Sequence, residues 1–354
     1  MFIRRNGGTG GVMQTDETKS RYSRQMLFKP IGPDGQTRLG ERAVLIVGMG
    51  ALGTVLANHM VRAGVGIVRF VDRDYVEASN LQRQMLYDED DAAASLPKAV
   101  AARQRLSRIN SGVRLEAVVA DATVDNIGEL LEGIDLVLDG TDNFQTRYLL
   151  NDACFRSGIP FVYGGSVASR GMSAIFVPGE TACLRCLIQP SDGAGETCDT
   201  IGVIAPVVDI VASYQAAEAL KYLVGASAAN RCSLVTLDIW HNHYYEMKLP
   251  SPSSECPVCS GGRYPALERE EAADSATSLC GRETVQIKAR SMFDLDEWRG
   301  RLEKVAVVRA NPFLLKAELP EGERLVLFPD GRALVQGTED PIRAKTLYAR
   351  YIGM

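Results

Sequence analysis

Five consecutive apolar residues, Ala43 to Val47, run into the glycine-rich stretch Gly48-Met49-Gly50-Ala51-Leu52-Gly53. A helical pattern then continues to about Ala63, and a second apolar run covers Ile67 to Val71. A short apolar run bounded by glycines reads as a buried strand, and strand, turn, helix, strand in succession is a right-handed βαβ unit opening a parallel sheet. The pattern predicts a further helix over Lys98 to Ile109, a strand around Leu115 to Val119, and a strand Leu136-Val137-Leu138-Asp139 ending in Gly140-Thr141-Asp142-Asn143. In an open α/β sheet, ligands bind outside the carboxyl ends of strands, which draws attention to the segments after Val47 and Asp139. Beyond Pro160 the chain predicts a β-rich stretch, a cysteine-bearing loop, and a long apolar-striped helix near Val203 to Leu223 that serves the core or a dimer contact.

These elements predict an α/β chain whose main body, residues 20–262, has a Rossmann-like nucleotide-binding fold. Residues 1–19 are Gly-rich, polar and without period, which reads as a mobile tail. From Gly261 the composition turns to Glu, Ala, Asp and Ser, which predicts a linker over 263–280. Residues 281–354 carry strand-like runs (Glu283 to Ile287, Arg324 to Phe328, Ala333 to Val335), a Pro329-Asp330-Gly331 turn and helical segments around Asp294 to Lys304 and Pro341 to Tyr351. They predict a small α+β domain.

A chain of 354 residues that is 46% hydrophobic has enough apolar side chains for a large core. Its net charge of −5, with no long basic run, argues against nucleic acid as a partner. No stretch reaches eighteen apolar residues and the N-terminus lacks a signal peptide's apolar segment, so the expectation is a cytoplasmic protein without a membrane span. Eight cysteines in a reducing compartment then point to metal ligation or thiol chemistry before disulfides.

Gly48, Gly50 and Gly53 fit G-x-G-x-x-G between a strand and a helix, where glycine lets the backbone approach phosphates beside the helix N-terminus. Asp72, at the end of the next strand, is placed to accept hydrogen bonds from ribose hydroxyls. These features alone say adenine nucleotide, and their commonest owner is an NAD-dependent oxidoreductase. Ser79-Asn80-Leu81-Gln82-Arg83-Gln84 and Lys98 shift the reading, because a nicotinamide site does not call for cations where a triphosphate would lie. Arg83 and Lys98 would neutralise the β- and γ-phosphates as pyrophosphate leaves, while Asn80 and Gln82 orient the chain or the reacting carboxylate. Asp142, beside Asn143, is the natural magnesium ligand; its alternative role is an N-cap for the helix that follows.

Two C-x-x-C pairs, Cys183 with Cys186 and Cys256 with Cys259, would give a closed tetrahedral structural zinc site. Cys198 stands apart in a polar loop before the long helix, where a thiol with a lowered pKa acts as a nucleophile or else is inert. Cys154 and Cys232 read as core, and Cys280 has no assigned role. His59, His241 and His243 are not arranged as a triad needs, and His59 reads as packing.

Taken in order, Arg21-Tyr22-Ser23-Arg24-Gln25, the Gly48 to Gly53 loop, Asp72, Ser79 to Gln84, Lys98, Asp142-Asn143, both C-x-x-C pairs and Cys198 before Gly202-Val203-Ile204-Ala205-Pro206 resemble the ThiF/MoeB adenylyltransferases, relatives of ubiquitin-activating enzymes. The resemblance runs from about Ser20 to Cys259. It implies a homodimer in which Arg24 of one subunit reaches the ATP site of the other, with Gly50, Asp72, Asn80, Arg83, Lys98, Asp142 and Asn143 around ATP and Mg2+. It also implies attack by the C-terminal glycine of a ubiquitin-like sulfur carrier ending in Gly-Gly, ThiS-like or MoaD-like, on the α-phosphorus. Cys198 matches a cysteine that links covalently to the carrier in some members. The segment after Gly281 is too short for the rhodanese domain some relatives carry, so sulfur is expected from a separate donor such as a cysteine desulfurase. A non-catalytic adaptor with this fold is a further alternative, against which the retention of Arg24, Arg83, Lys98 and Asp142 speaks.

Overall fold

The strands of the main body form one sheet of eight in a computed structural model that describes residues 20–188, 201–268, 276–279, 283–289 and 291–353. In chain order its elements are β1 (Ala43–Val47), α1 (Ala51–Ala63), β2 (Ile67–Asp72), α2 (Lys98–Ile109), β3 (Arg114–Val119), β4 (Leu136–Asp139), α3 (Phe144–Ser157), β5 (Phe161–Val167), β6 (Arg170–Phe176), α4 (Ala205–Leu223), β7 (Ser233–Asp238) and β8 (His243–Lys248). The spatial order is β3-β2-β1-β4-β5-β6-β7-β8. Pairing is parallel from β3 to β5 and antiparallel from β5 to β8. The chain grows outward from β1 in one direction through β2 and β3, then returns to place β4 on the other side, which opens a crevice at the carboxyl ends of β1 and β4.

Every residue of β1 is buried, which is why its sequence is a continuous apolar run instead of an alternation. Val44 and Ile46 face a core shared with α1, α2 and α4, while Leu45 and Val47 face one shared with α3 and β5. The long helix α4 buries Val207, Val211, Ala212 and Ala219 against this body, so it is a core element. Cys154 is buried as expected, but Cys232 is exposed, because it precedes β7 at the sheet's antiparallel edge and its apolar neighbours in sequence turn inward without it. Among the described residues no helix is long and apolar enough to cross a membrane.

A second sheet follows, of β9 (Ala276–Leu279), β10 (Thr284–Lys288), β11 (Val307–Asn311), β12 (Leu314–Glu318), β13 (Arg324–Leu327) and β14 (Arg332–Gln336), in the order β11-β12-β13-β14-β10-β9 and antiparallel throughout. Helices Leu295–Leu302 and Pro341–Tyr351 contribute Leu302, Ala344 and Leu347 to a core with Val285, Leu315, Leu325 and Val335. Of the stretch expected as linker, residues 269–275 and 280 lie outside the described residues, and the described parts make the following contacts. Ala266 N donates to the buried Asp152 at 2.7 Å, Leu267 packs on the main body's core, and Ala276–Leu279 forms the edge strand β9. The expected tail, residues 1–19, lies outside the described residues.

Three glycines crowd together where β1 and β4 end. Gly48 has φ +88°, and a Cβ there would stand 2.6 Å from Gly140 O; a Cβ on Gly140 or Gly53 would stand 2.4 Å and 1.9 Å from Gly48 O. All of these are backbone contacts, so no side-chain motion relieves them. Gly53→Ala is expected to lower unfolding free energy by about 3 kcal/mol, the upper range for overpacking a tight site; urea denaturation checks this, and a wild-type midpoint would refute the crowding.

Candidate nucleotide site and metal centre

Gly50 differs from its two partners in the motif. A Cβ added to it meets nothing closer than Gln84 Nε2, at 3.9 Å, so its Cα faces open space at the start of α1. It is also the N-cap of α1 and supplies no side-chain cap, which leaves first-turn N–H groups directed at that space. Gln84, almost fully buried beside it, has an Oε1 without a hydrogen-bond partner among the described residues. An open cradle, a helix N-terminus and an orphaned polar atom fit a phosphate-bearing ligand.

Asp72 closes the crevice from β2. Its carboxylate accepts from Met49 N at 2.6 Å and from Asp74 N at 2.7 Å, one bond per oxygen, and each oxygen keeps a further lone pair for a hydroxyl. Burial pushes its pKa up, while Lys98 pulls it back. Lys98 begins α2 almost fully buried, with its ammonium 3.3 Å from Asp74 Oδ2. It is therefore a buried cation already paired with a carboxylate. Asn80 turns inward and its Oδ1 accepts from Glu77 N at 3.1 Å, while Arg83 Nη1 donates back to Ser79 O at 3.0 Å. Ser79 and Gln82 are exposed, and Leu81 packs on the core.

Asp142 is exposed at the end of β4, and both Arg73 and Arg147 feel its charge. The N-cap role falls to Asn143, whose Oδ1 accepts from Thr146 N at 2.8 Å, so Asp142 is not spent on capping α3. Arg24 lies elsewhere. It is exposed on the short helix Ser23–Met26, whose Gln25 donates to Ala63 O at the far end of α1. Thirteen residues of helix put that end about 20 Å from the glycine turn. Cys198 and Cys280 lie outside the described residues.

Cys183, Cys186, Cys256 and Cys259 come together with all four Sγ atoms within 4.8 Å of one another. The Sγ atoms stand 3.9 Å apart for Cys183 and Cys186, 3.6 Å for Cys183 and Cys256, and 3.6 Å for Cys186 and Cys259. Four sulfurs at about 2.3 Å from a tetrahedral metal stand about 3.8 Å apart, so the donor set fits one ion. Burial and the neighbouring sulfurs push the Cys183 thiol well up and that of Cys186 to about 11, a cost that a bound cation reverses. Cys183 N donates to Cys259 Sγ at 3.3 Å, which ties the two knuckles together.

The model of the ThiF family matches residues 22–258, well over half of the sequence. The chain belongs to the ThiF family. It is 46% identical to the sulfur carrier protein ThiS adenylyltransferase of Bacillus subtilis (strain 168), over 94% of this chain and 99% of that one. It is 37% identical to the molybdopterin-synthase adenylyltransferase of Escherichia coli (strain K12), over 69% of this chain and 98% of that one. A solved structure of E. coli MccB with MccA-N7isoASN superposes with a TM-score of 0.61 at 22% identity, covering 71% of this chain and 77% of that one, which is a likeness of fold.

In this ThiF-family chain several supporting residues escape a reading by motif. Arg147, on α3, is buried, pairs with the fully buried Asp139 at 3.1 Å, and donates to Thr141 O at 2.8 Å and Gly164 O at 3.0 Å. Burial pushes Asp139 up in pKa, and Arg147 and Thr141 pull it back. Gln215, on α4, donates to Asp139 O at 2.8 Å and Val162 O at 3.1 Å. The available signal was a polar residue, Gln215, inside an apolar helical stripe. Arg147→Met is expected to cost about 3–5 kcal/mol of stability by leaving Asp139 buried without its counter-ion. Chemical denaturation measures this, and a loss under 1 kcal/mol would show the pair to be dispensable.

Proposed function

We propose that this chain adenylylates the C-terminal carboxylate of a ubiquitin-like sulfur-carrier protein ending in Gly-Gly, with ATP as the other substrate. The near full-length likeness to the Bacillus subtilis ThiS adenylyltransferase carries the reading. The 46% identity over nearly the whole of both chains also favours a ThiS-like, thiamine-pathway carrier. In the reaction a carboxylate oxygen of the carrier attacks the α-phosphorus. A new acyl-oxygen to phosphorus bond forms, the bond to the β-phosphate bridge breaks, and pyrophosphate leaves with the electron pair.

The open face of Gly50 and the first turn of α1 receive phosphate oxygens. The remaining lone pairs of Asp72 take the ribose hydroxyls. Arg83 swings from the Ser79 carbonyl to the outgoing phosphates, and Lys98, already paired with Asp74, offsets charge from below. Asn80 and Asn143 hold the loops that flank the triphosphate. Asp142 is the carboxylate suited to hold Mg2+, which supplies charge neutralisation on the phosphates when bound. The distance of Arg24 from its own crevice supports a homodimer, in which Arg24 of the partner subunit completes the site. The four-cysteine cluster suits Zn2+, closed and structural, since four protein sulfurs leave no position for water. Sulfur comes from a separate donor such as a cysteine desulfurase, and Cys198 is the candidate thiol for contact with the activated carrier.

ATP/pyrophosphate exchange that requires the carrier tests this reading. Asp142→Ala is expected to abolish exchange, and Arg83→Ala to cost about 3 kcal/mol of transition-state stabilisation, roughly a hundredfold in rate. Wild-type exchange by Asp142→Ala would remove it as the metal ligand.

The cysteine cluster makes a separate prediction. Protein purified without chelators should contain about one zinc per chain, and Cys256→Ser should lose the metal and lower Tm more than it slows exchange by the folded fraction. Metal analysis without zinc would refute it.

A further inference from the structure

Between Asp72 and Lys98 the chain leaves the first sheet, and the second sheet grips it there. The ring of Tyr75 is buried in a cluster with Leu314, Val326, Phe328 and Leu334, all of them on or beside second-sheet strands. Its hydroxyl donates to Gln336 Oε1 at 2.9 Å, and Lys316 Nζ stands 3.6 Å from its ring centroid. Arg332, also buried, lies 4.4 Å over Phe328, pairs with Asp330 at 2.6 Å and donates Nη1 to the carbonyl of Arg73 at 2.9 Å. Arg73 in turn pairs with Asp121 at 2.9 Å, which also accepts from Gln286 at 3.3 Å. At the far end of the segment Asn311 donates to Ala94 O at 3.0 Å and Ser95 O at 3.2 Å, where Ser95 is held at φ +50°.

The same segment has a second side. Asp72 closes on Met49 N, Asp74 takes the Lys98 ammonium, and Lys98 N donates to Asp74 O at 2.9 Å. Extended backbone alternates its side chains. Asp72 and Asp74 therefore face the crevice, while Arg73 makes its bonds to Asp121 and, through its carbonyl, to Arg332, and Tyr75 inserts into the second sheet.

We infer that the second sheet is a brace for the nucleotide site, with Tyr75 and Arg332 as positioning residues that set where Asp72 and Asp74 stand. Neither residue touches the crevice. They act through the backbone of 73–75, and a displacement of under an ångström there moves the ribose-binding carboxylate out of register. The inference rests on the reading that the crevice binds ATP.

The test uses the full chain with Arg332→Met, which fills much of the volume but removes the donor to Arg73 O, and Tyr75→Phe, which keeps the ring and removes the hydroxyl. Binding of Mg-ATP is measured by calorimetry, which needs no carrier, and exchange kinetics are measured with the carrier. Arg332→Met is expected to raise the Kd for Mg-ATP about tenfold and Tyr75→Phe about threefold, in line with what small misplacements cost elsewhere. The carrier KM should stay within about twofold of wild type. A merely structural role would lower Tm and leave the Kd of the folded protein alone. Wild-type Kd values in both folded variants would overturn the inference, and so would a rise in carrier KM at unchanged ATP Kd. Absence of exchange in the wild-type enzyme, with ATP binding intact, would instead overturn the proposed reaction and leave the brace to be judged on the Kd alone.

Discussion

Backbone crowding among Gly48, Gly53 and Gly140 is the constraint on which the rest of the site depends. Each would place a Cβ under 3 Å from the backbone of another, so the carboxyl ends of β1 and β4 meet the first turn of α1 only because all three lack side chains. That contact aims α1 at the crevice and fixes the gap over Gly50. It also fixes the spacing between Asp72, which reaches across to Met49 N, and the Asp142 loop that follows Gly140.

A single helix connects this crevice to the cysteine cluster. Near its start α3 carries Arg147, which braces Thr141 and Gly164 beside the crevice. Further along, Asn151 Oδ1 accepts from Leu184 N, and the fully buried Asp152 accepts from Arg185 Nε at 2.7 Å and Nη2 at 2.9 Å and from Ala266 N. Arg185 stands between Cys183 and Cys186, and Ala266 follows Cys259. Both knuckles are thus tied to α3 by hydrogen bonds to buried carboxylate and amide groups, and such charge-assisted bonds hold geometry well in a low-dielectric interior.

The second sheet has a self-contained core, yet its attachment is specific. It touches the main body at the segment that follows Asp72, through buried aromatic packing around Tyr75 and hydrogen bonds from Arg332 and Asn311, and at Asp121 through a hydrogen bond from Gln286. A linker-tethered domain would leave such positions polar and exposed. Among the described residues of the polar stretch after Gly261, Ala266 and Leu267 lie against the core and Ala276–Leu279 is a strand.

Much of this was legible in one dimension. The parallel βαβ unit, α1 over Ala51–Ala63, α2 over Lys98–Ile109, the glycine turn and the paired C-x-x-C knuckles follow from local rules: apolar period, glycine placement and ligand spacing. Other features have no local signature. That Lys98 is buried against Asp74 depends on where α2 begins relative to β2, twenty-six residues apart by number, and a lysine in a helical pattern looks the same whether solvated or paired. That Asn143 and not Asp142 caps α3 is a choice between adjacent residues that only backbone direction makes. The pairs Arg147 with Asp139 and Arg332 with the Arg73 carbonyl join elements that the sequence keeps apart, and Arg24 is separated from its motif companions by the length of a helix. Sequence by itself determined which residues are chemically equipped for the site; burial, pairing and distance were decided by tertiary structure, because each is a relation between segments that no single segment encodes.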